Sequence, residues 1–190
     1  MITDVPPRKG PRKEEYARSD TMRTIVLPPA EPLRAHAKTL EEALSQENRK
    51  GVEAASGQMA EAVAGALNVK SPRVRVLGVR PHEITDDYID ETFGDYDPNT
   101  ALIRLWMRTA IKQKPTSFGT LVSTLCHEIC HHLDVVHWGF PNTFHTRGFY
   151  ERTALLYHFV RDTPIRQLVW TQQSDGAYRI NWPATMRQRT

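Results

Sequence analysis

Apolar residues recur at helical spacing in two neighbouring segments of the first half of the chain. Pro32 suits the first position of a helix, and the apolar pattern pauses near residues 48–51 before it resumes. The repeating positions are Leu33, Ala37, Leu40 and Leu44, followed by Val52, Ala55, Met59, Val63 and Leu67. The pattern predicts one broken helix or two, ending near Asn68.

Alternation of apolar and polar residues predicts strands in the middle of the chain. The run RVRVLGV at 73–79 alternates as a half-buried strand does, and residues 91–96 are a second candidate. After a turn at 97–100, residues 100–107 place Ile103, Leu105 and Met107 on one face. This last strand precedes a predicted helix, and we expect it to act as a sheet edge with which an extended peptide can pair.

The second half of the chain predicts two more helices and a hairpin. One helix runs from about Ser117 to Val136, with an apolar stripe made of Phe118, Leu121, Val122, Leu125, Ile129, Leu133 and Val136. Thr146 is a suitable N-cap for the other helix, which stops before Pro164. The segment QLVWTQQSDGAYRINW predicts a β-hairpin with its turn at Asp175-Gly176.

Together these elements predict an α+β fold, with a small mixed sheet packed on an N-terminal helix and on the 117–136 helix, and with a C-terminal β-hairpin. The 190 residues allow one domain. Prolines among alternating charges predict a flexible tail over residues 1–30. The folded domain is expected to span 31–182, followed by a short basic tail at 183–190.

Charge and composition narrow the classes of function. The net charge is +3, but residues 1–23 and the last eight residues carry all of the excess, so 24–182 is slightly acidic. A basic nucleic-acid surface within the domain is therefore not expected. There is no apolar run of membrane-spanning length and no secretory signal. The two cysteines, Cys126 and Cys130, predict reduced thiols in a cytoplasmic protein.

The 117–136 helix carries the motif His127-Glu128-Ile129-Cys130-His131. Residues four apart lie one turn apart on the same helix face, so the two imidazoles can converge on one ion. Zn²⁺ is commonly bound in this way. Glu128 lies beside the ligands without being one, where it can take a proton from a water on the metal.

Two histidines do not complete a catalytic zinc site, which usually has three protein ligands and a water. We favour His145 as the third ligand, since it lies on a loop that returns toward the helix and directly precedes the Thr146 cap. Glu151, in the next helix, is an alternative. His137 is another, but it requires the helix to turn sharply at Asp134, a conformation that favours glycine.

The run HEICHHLDVVHWGFPNTFHTRGF resembles the zinc-binding region of SprT-like and related minimal zincin metallopeptidases. The matching residues are His127, Glu128, Cys130, His131, His145 and Phe149. The resemblance implies a zincin-like fold and peptide-bond hydrolysis, with Zn²⁺ on the three histidines and Glu128 as the general base. Many SprT-like proteins carry a C-terminal cysteine zinc ribbon, whereas no cysteine follows Cys130 here.

The expected partner is thus a peptide or protein substrate. Two alternatives stay open: a non-catalytic binding module with a zinc site, and a DNA-associated SprT-like protease whose nucleic-acid contacts would come from the basic tails. Asp134 is expected to orient a ligand imidazole, to anchor Arg147, or to lie at the surface. His132, Cys126 and Cys130 are expected to be structural. The candidates for stabilising an oxyanion are Tyr150, Tyr157, Arg147 and Arg152.

Overall fold

A computed structural model describes residues 1–84 and 89–188 of the chain. Its helices are α1 (Pro11–Thr21), α2 (Ala30–Ser45), α3 (Arg49–Ala66), α4 (Phe118–Val136), α5 (Arg147–Arg161) and α6 (Trp182–Met186). Its strands are β1 (Arg73–Val79), β2 (His82–Ile84), β3 (Ile89–Glu91), β4 (Gly94–Asp97), β5 (Leu102–Arg108), β6 (Trp170–Gln172) and β7 (Tyr178–Ile180). The predicted α+β class is confirmed.

The main sheet is small and mixed, as the sequence predicts. Its strand order is β1-β5-β4, with β1 parallel and β4 antiparallel to β5. Ile103, Leu105 and Met107 are all buried, which confirms the predicted apolar face of β5. β2 pairs with β3, and β6 pairs with β7 as the predicted C-terminal hairpin.

The prediction that the strand before α4 is a sheet edge is wrong. β5 lies in the centre of the sheet, because β4 folds back onto it through the turn at 98–101 and β1 occupies its other side. An extended peptide therefore cannot pair with β5. The strand beside α4 that has a free edge within the described sheet is β4, residues 94–97.

Side-chain caps explain where the helices begin. Asn48 accepts a hydrogen bond from the Gly51 amide, and this cap separates α2 from α3 at the pause in the apolar pattern. Ser117 caps α4 through the Thr120 amide, and Thr146 caps α5 through the Phe149 amide. The predicted start of each of these two helices is confirmed.

The core lies between the sheet and the helices α2, α3 and α4. Its fully buried members include Leu33, Leu40, Val52, Met59, Ile103, Leu105, Leu121, Leu125, Ile129 and Leu133. Burying a leucine side chain contributes about 1.5–3 kcal/mol, so the stripe of α4 fixes the rotation of that helix. His127 lies two residues after Leu125, about 200° around the helix axis, and therefore faces away from this core.

The first 30 residues are not a flexible tail. α1 packs against α5, and Tyr16, Ser19 and Asp20 are buried. Ahead of α1, the Thr3 amide donates a hydrogen bond to the Tyr178 carbonyl of β7. These contacts are mostly polar, so this segment is held in place without the apolar periodicity by which helices are usually recognised.

The predicted basic tail at 183–190 is also folded in part. α6 begins after Asn181, whose side chain accepts a hydrogen bond from the Ala184 amide, and Thr185 is buried. Arg189 and Thr190 lie outside the described residues. Within the described ranges, no helix combines the length and apolar character needed to cross a membrane.

Candidate metal centre

α4 presents His127 and His131 one turn apart on the face opposite the core. Their Nε2 atoms lie 3.0 Å apart and their ring centroids 4.6 Å apart. Both side chains are half-buried. The helix therefore arranges the first two imidazoles as the motif predicts, with their Nε2 atoms directed at a common point.

The loop between α4 and α5 brings His145 to the same point. The Nε2 atom of His145 lies 3.1 Å from that of His127. All three ligand nitrogens lie within 4.8 Å of one another. Among the described residues, 1–84 and 89–188, these three histidines are the group of side chains that could hold a metal ion. Phe149 packs against all three rings, at centroid distances of 4.9, 4.5 and 5.2 Å from His127, His131 and His145 respectively.

The two alternative third ligands lie elsewhere. α4 continues to Val136 without the sharp turn that a ligand at His137 requires, and His137 is exposed beside Trp138. Glu151 instead accepts hydrogen bonds from the Arg23 guanidinium and from the Trp170 indole, at 2.7 and 3.0 Å. Neither residue belongs to the histidine cluster.

The hydrogen bonds around His131 determine which of its nitrogens can bind a metal. Its Nδ1 lies 2.6 Å from the Thr143 hydroxyl, and that hydroxyl donates to the Asp134 carboxylate at 3.3 Å. Since the hydroxyl proton is directed to Asp134, Nδ1 of His131 is the donor to Thr143. The Nε2 atom consequently carries a free lone pair, as a metal ligand must.

Burial keeps His127 and His131 neutral. It lowers the pKa of His127 from 6.5 to about 3, and it lowers the pKa of His131 well below its usual value, with neighbouring histidines adding to both shifts. In a tetrahedral site with Zn–N distances of about 2.0–2.1 Å, ligand nitrogens lie about 3.3 Å apart. The Nε2–Nε2 distances from His127 to His131 and to His145, 3.0 and 3.1 Å, come close to this value. The three imidazoles could therefore hold one metal ion.

Glu128 lies beside the cluster without joining it. Its side chain is only 5% exposed, and a Cβ atom placed on Gly94 of β4 would lie 3.2 Å from its Cγ atom. Burial, reinforced by the charge of Asp95, raises the pKa of Glu128 from 4.5 to about 8. A bound cation nearby favours the ionised carboxylate and so lowers this pKa.

A cleft of about 670 Å³ opens beside Glu128 and His127. Its walls come from α4, α5, α6, and from β4 and the C-terminal hairpin with the residues that flank them, and they include Phe93, Leu168, Ile180, Trp182 and Met186. Tyr150 and Tyr157 line the cleft, whereas Arg147 and Arg152 do not. Of the four oxyanion candidates, only the two tyrosines are placed where a substrate can reach them.

The structure also distinguishes among the roles that the sequence left open for Asp134. Asp134 is fully buried; it contacts His131 through Thr143, and it pairs with Arg152 rather than with Arg147. Arg147 pairs with Asp20 of α1.

The residues expected to be structural are placed as predicted. His132 is buried, with hydrogen bonds to the Lys70 carbonyl and the Tyr96 hydroxyl. Both cysteines are buried and free.

Three residues that position the ligands were not anticipated. Thr143 bonds to His131, Asp4 bonds to the backbone amide of His145, and Glu15 bonds to Asn142 in the same loop. No local pattern marks them, because two of them lie far from the motif in sequence. A polar side chain in an otherwise short loop, such as Thr143, is the only signal that the sequence offers.

Comparison of the chain with protein-family models, with curated proteins and with solved structures finds no match in any of the three. An assignment of function therefore depends on the chemistry of the site itself.

Proposed function

We propose that this chain is a zinc-dependent metallopeptidase that hydrolyses peptide bonds in unfolded or extended protein segments. The observation that carries the proposal is the convergence of three imidazole Nε2 atoms beside a buried glutamate, with His127 and Glu128 lining one cleft. A structural zinc site fills its coordination with protein ligands and has no use for an acid next to the metal. With three histidine ligands here, a bound zinc would have its fourth position available for water.

In this proposal, His127, His131 and His145 hold Zn²⁺, which when bound would polarise a substrate carbonyl and acidify a water. Glu128 takes a proton from the attacking water, whose oxygen bonds to the carbonyl carbon. Glu128 then delivers that proton to the departing amine as the C–N bond breaks. Its burial supports both roles, because a pKa near neutral pH suits a group that must gain and lose a proton.

The zincin-like arrangement is supported by the position of β4. This strand lies beside α4 with one side free in the described sheet, so an extended peptide can pair with it and pass Glu128. Tyr150 lines the same cleft, and its ring stacks on that of His145 at a centroid distance of 5.8 Å. Its hydroxyl donates to the Ile2 carbonyl at 3.0 Å, and we expect it to donate to a developing oxyanion when a substrate displaces that contact.

The cleft favours a substrate with a bulky apolar side chain. Phe93, Trp182 and Met186 line it and are 41%, 40% and 58% exposed. Large apolar side chains that share an exposed depression mark a binding site for an apolar group. Unfolded segments display such side chains, whereas folded proteins bury them.

The experiment compares wild type with Glu128→Gln on a fluorescently labelled unfolded protein, with zinc content measured in both. We expect about one zinc per chain in each protein and a loss of cleavage in Glu128→Gln by several orders of magnitude. Glu61→Gln is the matched control, since Glu61 is an exposed glutamate on α3. Equal inertness of all three proteins with zinc bound would favour the non-catalytic binding module. A wild-type protein that folds without taking up added zinc would exclude both readings.

A further inference from the structure

The loop that supplies the third histidine is held by the first 22 residues of the chain. This loop, residues 137–146, has no regular secondary structure. Glu15 of α1 accepts hydrogen bonds from the backbone amide of Asn142 at 2.8 Å and from its side-chain amide at 2.6 Å. The Tyr16 ring packs on Phe144 at a centroid distance of 5.6 Å.

Asp4 forms hydrogen bonds with both the backbone amide and the backbone carbonyl of His145. The Asp4 amide donates to the His145 carbonyl, and the His145 amide donates to the Asp4 carboxylate, both at 2.9 Å. The other carboxylate oxygen of Asp4 lies 3.7 Å from Nδ1 of the imidazole. One residue therefore fixes the backbone of the third ligand and places a negative charge behind its ring.

The contacts continue past the ligand into α5. The hydroxyls of Ser19 and Thr146 lie 3.0 Å apart, and Asp20 accepts from the Arg147 amide at 3.0 Å. Gly148 lets α1 approach, because a Cβ atom there would collide with the Ser19 carbonyl oxygen. Asn142 and the residues from Phe144 to Arg147 are thus each in contact with the N-terminal segment.

We infer that residues 1–22 order the loop that supplies the third ligand of the metal site, and that Asp4 and Glu15 are positioning residues for His145. α4 holds two ligands by its own hydrogen bonds, whereas the third lies on a loop whose ordering costs conformational entropy. Contacts that order the loop in advance remove that cost from metal binding. The inference rests on the metal site of the proposed function, but it does not depend on peptide hydrolysis.

The test measures zinc affinity of the full-length chain by competition with a chromophoric chelator. Asp4→Ala is expected to weaken zinc binding roughly 10- to 100-fold, as is usual when a group that orients a ligand is lost. Asp4→Asn keeps an acceptor for the His145 amide and should restore part of the affinity. Glu15→Ala should weaken binding by roughly 3- to 10-fold, since its bonds are partly exposed. Glu14→Ala, the exposed neighbour on α1, is the matched control and should bind zinc as wild type does.

Two further measurements separate positioning from general stability. The visible absorption of bound Co²⁺ reports tetrahedral coordination, and we expect it to weaken in Asp4→Ala. Amide hydrogen exchange in the metal-free proteins should be faster at His145 in Asp4→Ala and at Asn142 in Glu15→Ala, with the α4 core unchanged.

The outcomes distinguish this inference from the proposed function. If wild type binds no zinc, the proposed function fails and the inference fails with it. If wild type binds zinc but both variants bind it equally tightly, with unaltered Co²⁺ spectra, the metal site stands and the inference is wrong. An affinity loss of the same size in Glu14→Ala also overturns it.

Discussion

Replacing Asp134 by Asn is expected to destabilise the protein strongly, because it leaves a buried guanidinium without its counter-charge. Asp134 and Arg152 are 2.6 Å apart and both side chains are fully buried. Asn preserves the shape of Asp, so the substitution removes the charge with little change in packing. Breaking a buried pair in this way costs about 3–5 kcal/mol, roughly a third of the stability of a typical domain.

The assay is urea unfolding of the metal-free protein for Asp134→Asn, Arg152→Met and the double variant. The double variant should lose less stability than the two single variants added together, because neither buried charge is then left alone. Arg104→Gln is the control: it breaks an ion pair with Asp95 whose side chains are 45% and 35% exposed, and it should cost at most about 1 kcal/mol. If Asp134→Asn costs no more than this control, the argument from burial is refuted.

Three further predictions concern the site. Between pH 4.5 and 8 the native metal-free protein retains a proton on Glu128 that the unfolded chain has released, so Glu128 lowers the free energy of unfolding as pH rises, opposite to the effect of the lowered pKa values of His127 and His131. The free energy of unfolding of metal-free Glu128→Gln relative to wild type should therefore rise by about 2–3 kcal/mol between pH 5 and 7, as measured by urea unfolding. Gly94→Ala should cost about 1–3 kcal/mol in thermal denaturation, since its Cβ would lie 2.5 Å from Thr124, whereas Gly78→Ala, with nothing within 4 Å, should not. His145→Ala should lower zinc affinity by orders of magnitude in a chelator competition, whereas His137→Ala should change the affinity little and Glu151→Gln should reduce stability rather than zinc content. An equal loss of zinc in His137→Ala would contradict the assigned ligand set.

The parts of the fold that local patterns determine could be predicted. The apolar stripe of α4 and its Ser117 cap place the motif on a helix, and the Thr146 cap fixes the backbone directly after His145. Each of these signals lies within a few residues of the feature it predicts. The two caps also restrict the conformation of the short loop between α4 and α5, and this restriction brings His145 close to the two histidines of α4.

Long-range pairing could not be predicted in the same way. The alternation in β5 is the same for a central strand and for an edge strand, and only the parallel partner β1 decides between them. α1 offers few apolar residues and is held by polar contacts such as that between Asp20 and Arg147. A hydropathy pattern does not reveal such contacts, because a charged residue is expected to be exposed to solvent unless its ion-pair partner is known.

The distance along the chain between Asp4 and His145 affects when the site can form during protein synthesis. The two residues are 141 positions apart. At about 5–20 residues per second, a ribosome needs roughly 7–30 s to reach the third ligand after making Asp4. Thr3 waits longer still, because its partner Tyr178 is 175 positions away. Translation products that end between residues 131 and 144 carry both helix histidines but lack the third imidazole, so a chain interrupted there cannot assemble the full ligand set.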